Sequence, residues 1–224
     1  MLKLYGFAAS NYFNMVKLAL LEKQLSFEVV PLFGCQSPEV LAVSARGKVP
    51  VLGTDDGFIS ETDVILRYIE ETSPQRPLLP ESPFARAQLW TIAKEIELYI
   101  ELPARLCYAE VIFGGRPTPA DLKAKARRDL IKGFTALAQR GRFAPYVAGE
   151  RFTVADLYFL YSVDLARQVG EQLFELDLLE GMPKAQALLA RLAQNPNAQR
   201  VAADRDADWP VFMARIKGLG RTAS

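Results

Sequence analysis

The chain has no histidine among its 224 residues. That removes Ser-His-Asp and Cys-His nucleophile systems, most imidazole-ligated zinc sites, and the usual general base near neutral pH. Chemistry must then run through hydroxyls, carboxylates, backbone amides or a cofactor. Cysteine is scarce as well. Cys35 and Cys107 are far apart and make no C-x-x-C spacing, so free thiols in a reducing cytoplasm are expected. Charge of one sign is missing too: 27 Lys and Arg face 26 Asp and Glu. A net charge of +1 gives no support for a nucleic-acid or anionic-membrane partner. No apolar run approaches the roughly 20 residues needed to span a bilayer. The opening "MLKLYGFAAS" has one lysine and runs directly into patterned structure, and it reads as a first strand, not a signal peptide.

Half of the residues are hydrophobic, enough for a sizeable core in one large domain or two small ones. The pattern divides the chain. Strand signals at 2–5 and 27–32 flank a helix whose Phe13, Val16, Ala19 and Leu20 fall at helical spacing. Residues 38–45 suit a short helix. "VPVLGTDDGFIS" suits a hairpin turning at Asp55-Asp56-Gly57. The helix of "SETDVILRYIEE" follows, with Val64, Ile65, Tyr68 and Ile69 on one face. Residues 1–76 therefore read β-α-β-α-β-β-α. Pro74, Pro77, Pro80 and Pro83 then make a stiff linker and the best domain boundary. Beyond it, 84–224 reads as helical throughout. Helices are expected at 84–113 (kinked at Pro103), 118–139, 153–170 and 183–194, with a tail "RIKGLGRTAS" that holds little to pack.

Four local features carry chemistry or a helix start. Ser10 and Asn11 open the first helix, where a serine caps the N-terminus and the macrodipole favours an anion. In "RGKVPVL", Pro50 stands at the start of a strand. A cis bond there would leave the N–H and C=O of Val49 free to pair with something that is not protein. Ser60 with Asp63 reads as a capping box, and the same helix start offers an anion site at Glu61-Thr62. Thr153 with Asp156 forms a second capping box, stapled by Phe152, with Asp156 expected buried and paired with backbone N–H groups.

These motifs, in this order around a proline-rich linker, resemble the glutathione transferase family over nearly the whole chain. The resemblance implies a thioredoxin-like α/β domain followed by an all-α helical bundle. Serine-type members look like S-x-x-x-R-x-V-x-L-A-L, and Ser10, Val16, Leu18, Ala19 and Leu20 match, while Asn14 replaces the basic residue. Ser10 is then the catalytic serine, donating a hydrogen bond to the glutathione thiolate. Tyr5, Asn11 and Tyr12 are other candidates for that contact. Val49-Pro50 matches the family's Val–cis-Pro, whose exposed backbone pairs with the cysteinyl part of glutathione. Lys48 would face the glycyl carboxylate, whereas Arg46 reads as a solvated charge. Ser44-Ala45 stands where the family often has Asn-Pro. Glu61 would meet the γ-glutamyl ammonium and Thr62 its carboxylate.

The implied activity is conjugation of glutathione, as co-substrate and without a metal, to a small hydrophobic electrophile lying between the domains. Phe7, Tyr12, Tyr108 and Phe113 are candidate walls for it. Peroxidase, isomerase or dehalogenase chemistry on the same site, or glutathione binding without catalysis, are the alternatives. A cytoplasmic homodimer engaged in detoxification, built through helices 62–71 and 84 onward, completes the expectation.

Overall fold

A computed structural model of the chain describes residues 1–222. The chain divides into two compact units, Met1–Leu78 together with the segment from Asn195 onward, and Leu79–Gln194. The first unit contains β1 (Leu2–Gly6), α1 (Asn11–Glu22), β2 (Phe27–Pro31), α2 (Pro38–Val43), β3 (Val51–Thr54), β4 (Gly57–Ser60) and α3 (Thr62–Thr72). This is the expected element order. The strands form one sheet in the order β2-β1-β3-β4, with β1 and β2 parallel and the other pairs antiparallel. Leu4 and Leu52 sit side by side on one face of it and pack with Phe13, Val16 and Leu20 of α1 and Ile65 and Ile69 of α3. Each such side chain contributes roughly 1.5–3 kcal/mol by leaving water. In α3 the buried residues are Thr62, Ile65, Leu66 and Ile69, while Val64, expected on the inner face, is 47% exposed.

Helix α1 is buried on every side from Phe13 to Leu20. The sheet and α3 cover one side. The other is covered by α11 (Pro196–Thr222). Burying α1 completely takes its polar residues out of water, so each needs a partner. Lys17 pairs with Asp204 at 2.6 Å, and the amide of Asn14 donates to the Ala8 carbonyl at 2.8 Å. At the end of α1, Lys23 donates to Glu70 at 2.7 Å and to the Arg76 carbonyl at 3.2 Å. Glu70 in turn accepts from the Leu78 N–H, which anchors the first part of the proline-rich linker to this unit.

The C-terminal segment departs from expectation. Residues 84–224 read as one helical domain in sequence, yet the chain from Asn195 packs with the first unit. The "RIKGLGRTAS" tail continues α11 as far as Thr222, and Arg215 lies over the Phe33 ring, 4.1 Å from its centroid. Residues 223–224 lie outside the described residues.

The second unit comprises α4 (Pro83–Ile96), α5 (Leu102–Arg105), α6 (Tyr108–Val111), α7 (Ala120–Arg140), α8 (Val154–Tyr158), α9 (Asp164–Phe174) and α10 (Pro183–Ala193). The helix expected over 84–113 is interrupted. A π-helical turn at Glu97–Glu101 joins α4 to α5 just before Pro103, which has no N–H to continue the α-helical ladder. Gly133 of α7 lies against this turn: a Cβ there would sit 2.2 Å from the Tyr99 carbonyl oxygen, so only glycine fits. A second π-helical turn at Phe159–Val163 joins α8 to α9.

The Thr153–Asp156 capping box forms as expected. Asp156 is fully buried and accepts from the Val147 N–H at 2.9 Å, the Thr153 N–H at 2.8 Å and the Thr153 hydroxyl at 3.0 Å. Burial pushes its carboxyl up to about 6, although those hydrogen bonds favour the ionised form.

Candidate functional site

The sheet register brings three of the motifs to one end of the first unit. Tyr5 pairs with Val51, and Val51 pairs with Ser60. The chain leaves β1 toward Ser10, enters β3 from Val49-Pro50, and leaves β4 into Glu61-Thr62. Three loops separated by up to some fifty residues of sequence thus converge at one sheet end.

Ser10 occupies the N-cap of α1, with extended backbone, and its Oγ accepts from the Phe13 N–H at 3.3 Å. A serine hydroxyl has one proton and two acceptor lone pairs. The cap uses a lone pair and leaves the proton for an acceptor beyond the helix end, where the dipole favours negative charge. Capping the helix and donating to an anion are therefore compatible. Asn14, the departure from the serine-type pattern, is 2% exposed and serves the loop before Ser10 through its bond to Ala8.

The Val49-Pro50 bond is cis. Ser44, buried at 1% exposure, explains how this loop is held. Its hydroxyl donates to the Lys48 carbonyl at 2.7 Å and accepts from the Lys48 N–H at 2.9 Å. Both polar groups of Lys48's backbone are consumed in this way, whereas the N–H and C=O of Val49 have no hydrogen bond among the described residues. Gly47, at φ +62, lies against the Cys35 carbonyl, where a Cβ would approach to 2.0 Å. The side chains of Lys48 and Arg46 are exposed, and neither forms an ion pair among the described residues.

Ser60 is not the N-cap expected of it. It stays in the β4 ladder to the end, and Glu61 alone makes the turn from strand to helix, at φ 71 and ψ 126. Such backbone costs on the order of 1–3 kcal/mol in a residue other than glycine and is concentrated at functional sites. Glu61 is exposed, with no ion pair among the described residues, and Thr62 is 5% exposed in the first turn of α3.

The remaining candidates are distributed differently. Tyr5 follows Leu4 on β1, so it points to the sheet face away from α1 and meets Phe58 edge-on at 5.6 Å. Asn11 and Tyr12 are half-buried in the first turn of α1. Phe7 stacks with two rings, Phe33 at 4.9 Å and Phe212 at 5.3 Å. Tyr108 and Phe113 belong to the second unit. Tyr108 is 4% exposed and donates to Glu101 at 2.9 Å, which makes it an interior residue, and Phe113 is half-buried. The two cysteines are free: Cys35 is exposed and Cys107 buried. Bonds from the Ser37 N–H and hydroxyl pull the Cys35 thiol down, and burial pushes the Cys107 thiol up. Among the described residues no group of three or more Cys, Asp or Glu side chains could hold a metal ion, and no helix is long and apolar enough to cross a membrane.

Comparison with known proteins identifies the family. The glutathione S-transferase N-terminal domain family matches residues 4–77 and the C-terminal domain family residues 111–204. A glutathione S-transferase of Pseudomonas putida (strain F1) is 56% identical over 217 residues, covering 97% of this chain and 98% of that protein. A zeta-class glutathione S-transferase of Euphorbia esula is 29% identical over 213 residues, 92% of each chain. Glutathione transferase F2 of Populus trichocarpa has the same fold, with a TM-score of 0.79 at 21% identity, over 92% of this chain and 100% of that one. The fold is a thioredoxin-like α/β part followed by a helical C-terminal part. The chain belongs to the glutathione S-transferase family.

Proposed function

We propose that glutathione binds across the sheet end described above and that Ser10 holds its sulfur as the thiolate, which attacks an electrophilic carbon of a small hydrophobic second substrate. The observation that carries this reading is the Ser10 hydroxyl: its acceptor side is used by the Phe13 N–H, which leaves its proton to donate. The rest of the tripeptide follows from charge and backbone complementarity. The N–H and C=O of Val49 pair with the cysteinyl unit as a strand neighbour would. Lys48 meets the glycyl carboxylate, and Glu61 meets the γ-glutamyl ammonium. The hydroxyl and N–H of Thr62 take the γ-glutamyl carboxylate at the positive end of α3. In the reaction a carbon–sulfur bond forms and the leaving group departs with its electron pair. The thiol proton is released to solvent, and Ser10 does not take it. It stabilises the anion, which suits a chain without histidine. The 56% identical relative, named a glutathione S-transferase, favours transfer over the other glutathione-dependent reactions.

A homodimer in the cytoplasm is the assembly we expect. Phe58 and Val64 in the first unit, and Phe84 in the second, are 52%, 47% and 72% exposed and offer apolar contact to a second copy. Two free thiols suit a reducing compartment.

Calorimetric titration of glutathione into the protein tests the site. Binding between micromolar and low millimolar is expected, and Thr62→Ala weakens it by about 1 kcal/mol or more, the loss of one hydrogen bond to a charged group. A protein that takes up no glutathione at millimolar concentration overturns the reading.

A further inference from the structure

We infer that Asp208, on the C-terminal helix, is a positioning residue for Ser10. The inference rests on the role proposed for Ser10 above. The turn from Phe7 to Ser10 is closed by the Ser10 N–H donating to the Phe7 carbonyl at 3.1 Å. Within it the Ala8–Ala9 peptide is held at both polar ends. The amide of Asn14 donates to the Ala8 carbonyl at 2.8 Å, and the Ala9 N–H donates to Asp208 Oδ2 at 3.2 Å. One of these anchors comes from α1, which Ser10 itself caps. The other comes from α11, roughly 200 residues later in the chain.

The same helix fixes the ring at the start of the turn. Phe212, one turn after Asp208 and 7% exposed, stacks on Phe7 with the ring planes 15° apart. Phe7 also stacks on Phe33, with the ring planes 17° apart, and Arg215 lies over Phe33. Asp204, Asp208, Phe212 and Arg215 are spaced by four, four and three residues, which is one face of a helix. Asp204 at the start of that face docks the helix on α1 through the buried Lys17. One helix face thus grips α1, the Ala9 N–H, the Phe7 ring and the Phe33 ring. The direction of the Ser10 hydroxyl is set by this latch as well as by its own helix.

Asp208 is a carboxylate close to where a thiolate would form. Acting through its charge, it would oppose the thiolate, and its removal would lower the pH at which bound glutathione ionises. Acting through position, its removal does the opposite, because the Ser10 donor goes out of line. The two roles therefore have opposite signs.

The test is an ultraviolet titration of the glutathione thiolate bound to the full chain, read beside kcat and the glutathione Kd. In Asp208→Ala the bound thiol ionises at higher pH and kcat falls by about tenfold, the scale of a small misplacement of a reacting group, while the Kd stays within about twofold because Thr62 and Val49 are untouched. Asp208→Asn keeps an acceptor for the Ala9 N–H and recovers most of the loss. Phe212→Leu removes the stacked ring without a change of charge and also moves ionisation to higher pH, which keeps the test available if the alanine variant does not fold. In a Ser10→Ala background Asp208→Ala adds no further change. A wild-type or lowered ionisation pH in Asp208→Ala, or a wild-type titration in Phe212→Leu, overturns the inference. If Ser10→Ala itself titrates like wild type, the role of Ser10 falls. If the titration depends on Ser10 and not on Asp208, only the positioning role falls.

Discussion

Asp156→Ala destabilises the second unit by about 3 kcal/mol or more, the sum of a lost helix cap and a buried N–H left without a partner. The carboxylate holds the Val147 and Thr153 N–H groups and the Thr153 hydroxyl at once, in a site that is 0% exposed. The Val147 N–H, on a residue that is 0% exposed, cannot turn to water when it is removed. Asp156 thus pins the loop before α8 at one end and starts the helix at the other. Its pH dependence has a definite sign. The carboxyl is raised from 3.8 to about 6 by burial, so the folded state holds the proton more tightly than the unfolded chain. The stability linked to that proton is complete below about pH 4 and is lost as the pH rises through about 6, by up to roughly 3 kcal/mol. Asp156→Asn cannot titrate. Urea unfolding of wild type and Asp156→Asn is therefore expected to show wild type losing ground to the variant between about pH 4 and about pH 7. A difference that stays flat over this range contradicts the raised carboxyl. A wild-type unfolding midpoint in Asp156→Ala contradicts the structural role.

Ser10→Ala lowers turnover by roughly 10- to 100-fold near neutral pH, because a hydrogen bond to a charged group contributes about 1.5–3 kcal/mol and each 1.4 kcal/mol is a factor of ten. The loss appears in kcat and kcat/KM together, since the hydroxyl acts on the sulfur and not on the ends of the tripeptide. Glutathione affinity changes little. The expected helix cost is smaller, about 1 kcal/mol for the lost cap to Phe13. Ser10→Cys puts a thiol at a helix N-terminus, where thiols ionise readily, and converts the site toward disulfide chemistry. Steady-state kinetics with a generic aromatic electrophile separate the outcomes: an enzyme that loses turnover but keeps binding, against a binding protein that Ser10→Ala leaves unaffected.

Much of this was legible in the chain itself where the governing interaction is local. Ser10 caps a helix that begins one residue later, Asp156 closes a box three residues after Thr153, and Asp55-Asp56 turn a two-residue hairpin. In each the signal lies within a few positions of its effect. The sequence pattern places the strand-to-helix turn one residue early, at Ser60, because the ladder with Val51 keeps Ser60 in the sheet, and that pairing is decided outside the segment. Ser44 looked like a departure from the family pattern, and its double bond to Lys48 emerges only once the loop is folded. The C-terminal helix was hardest to read. Asp204, Asp208 and Phe212 sit in a segment of low overall hydrophobicity, and their partners Lys17, Ala9 and Phe7 lie roughly 185–205 residues away. The one hint is Lys17 itself, a lysine within the apolar run from Met15 to Leu21 of α1, which needs a buried partner that its own neighbourhood does not supply.

The proposed stabilisation of bound glutathione as a thiolate by Ser10 is tested most directly by the ionisation of the bound thiol. The absorbance of the thiolate, followed against pH with glutathione saturating wild type and Ser10→Ala, gives both midpoints. Wild type is expected to ionise its bound thiol well below the ordinary thiol value of about 8.5, and Ser10→Ala at or near that value. Equal midpoints in the two proteins, with glutathione bound in each, would contradict the claim.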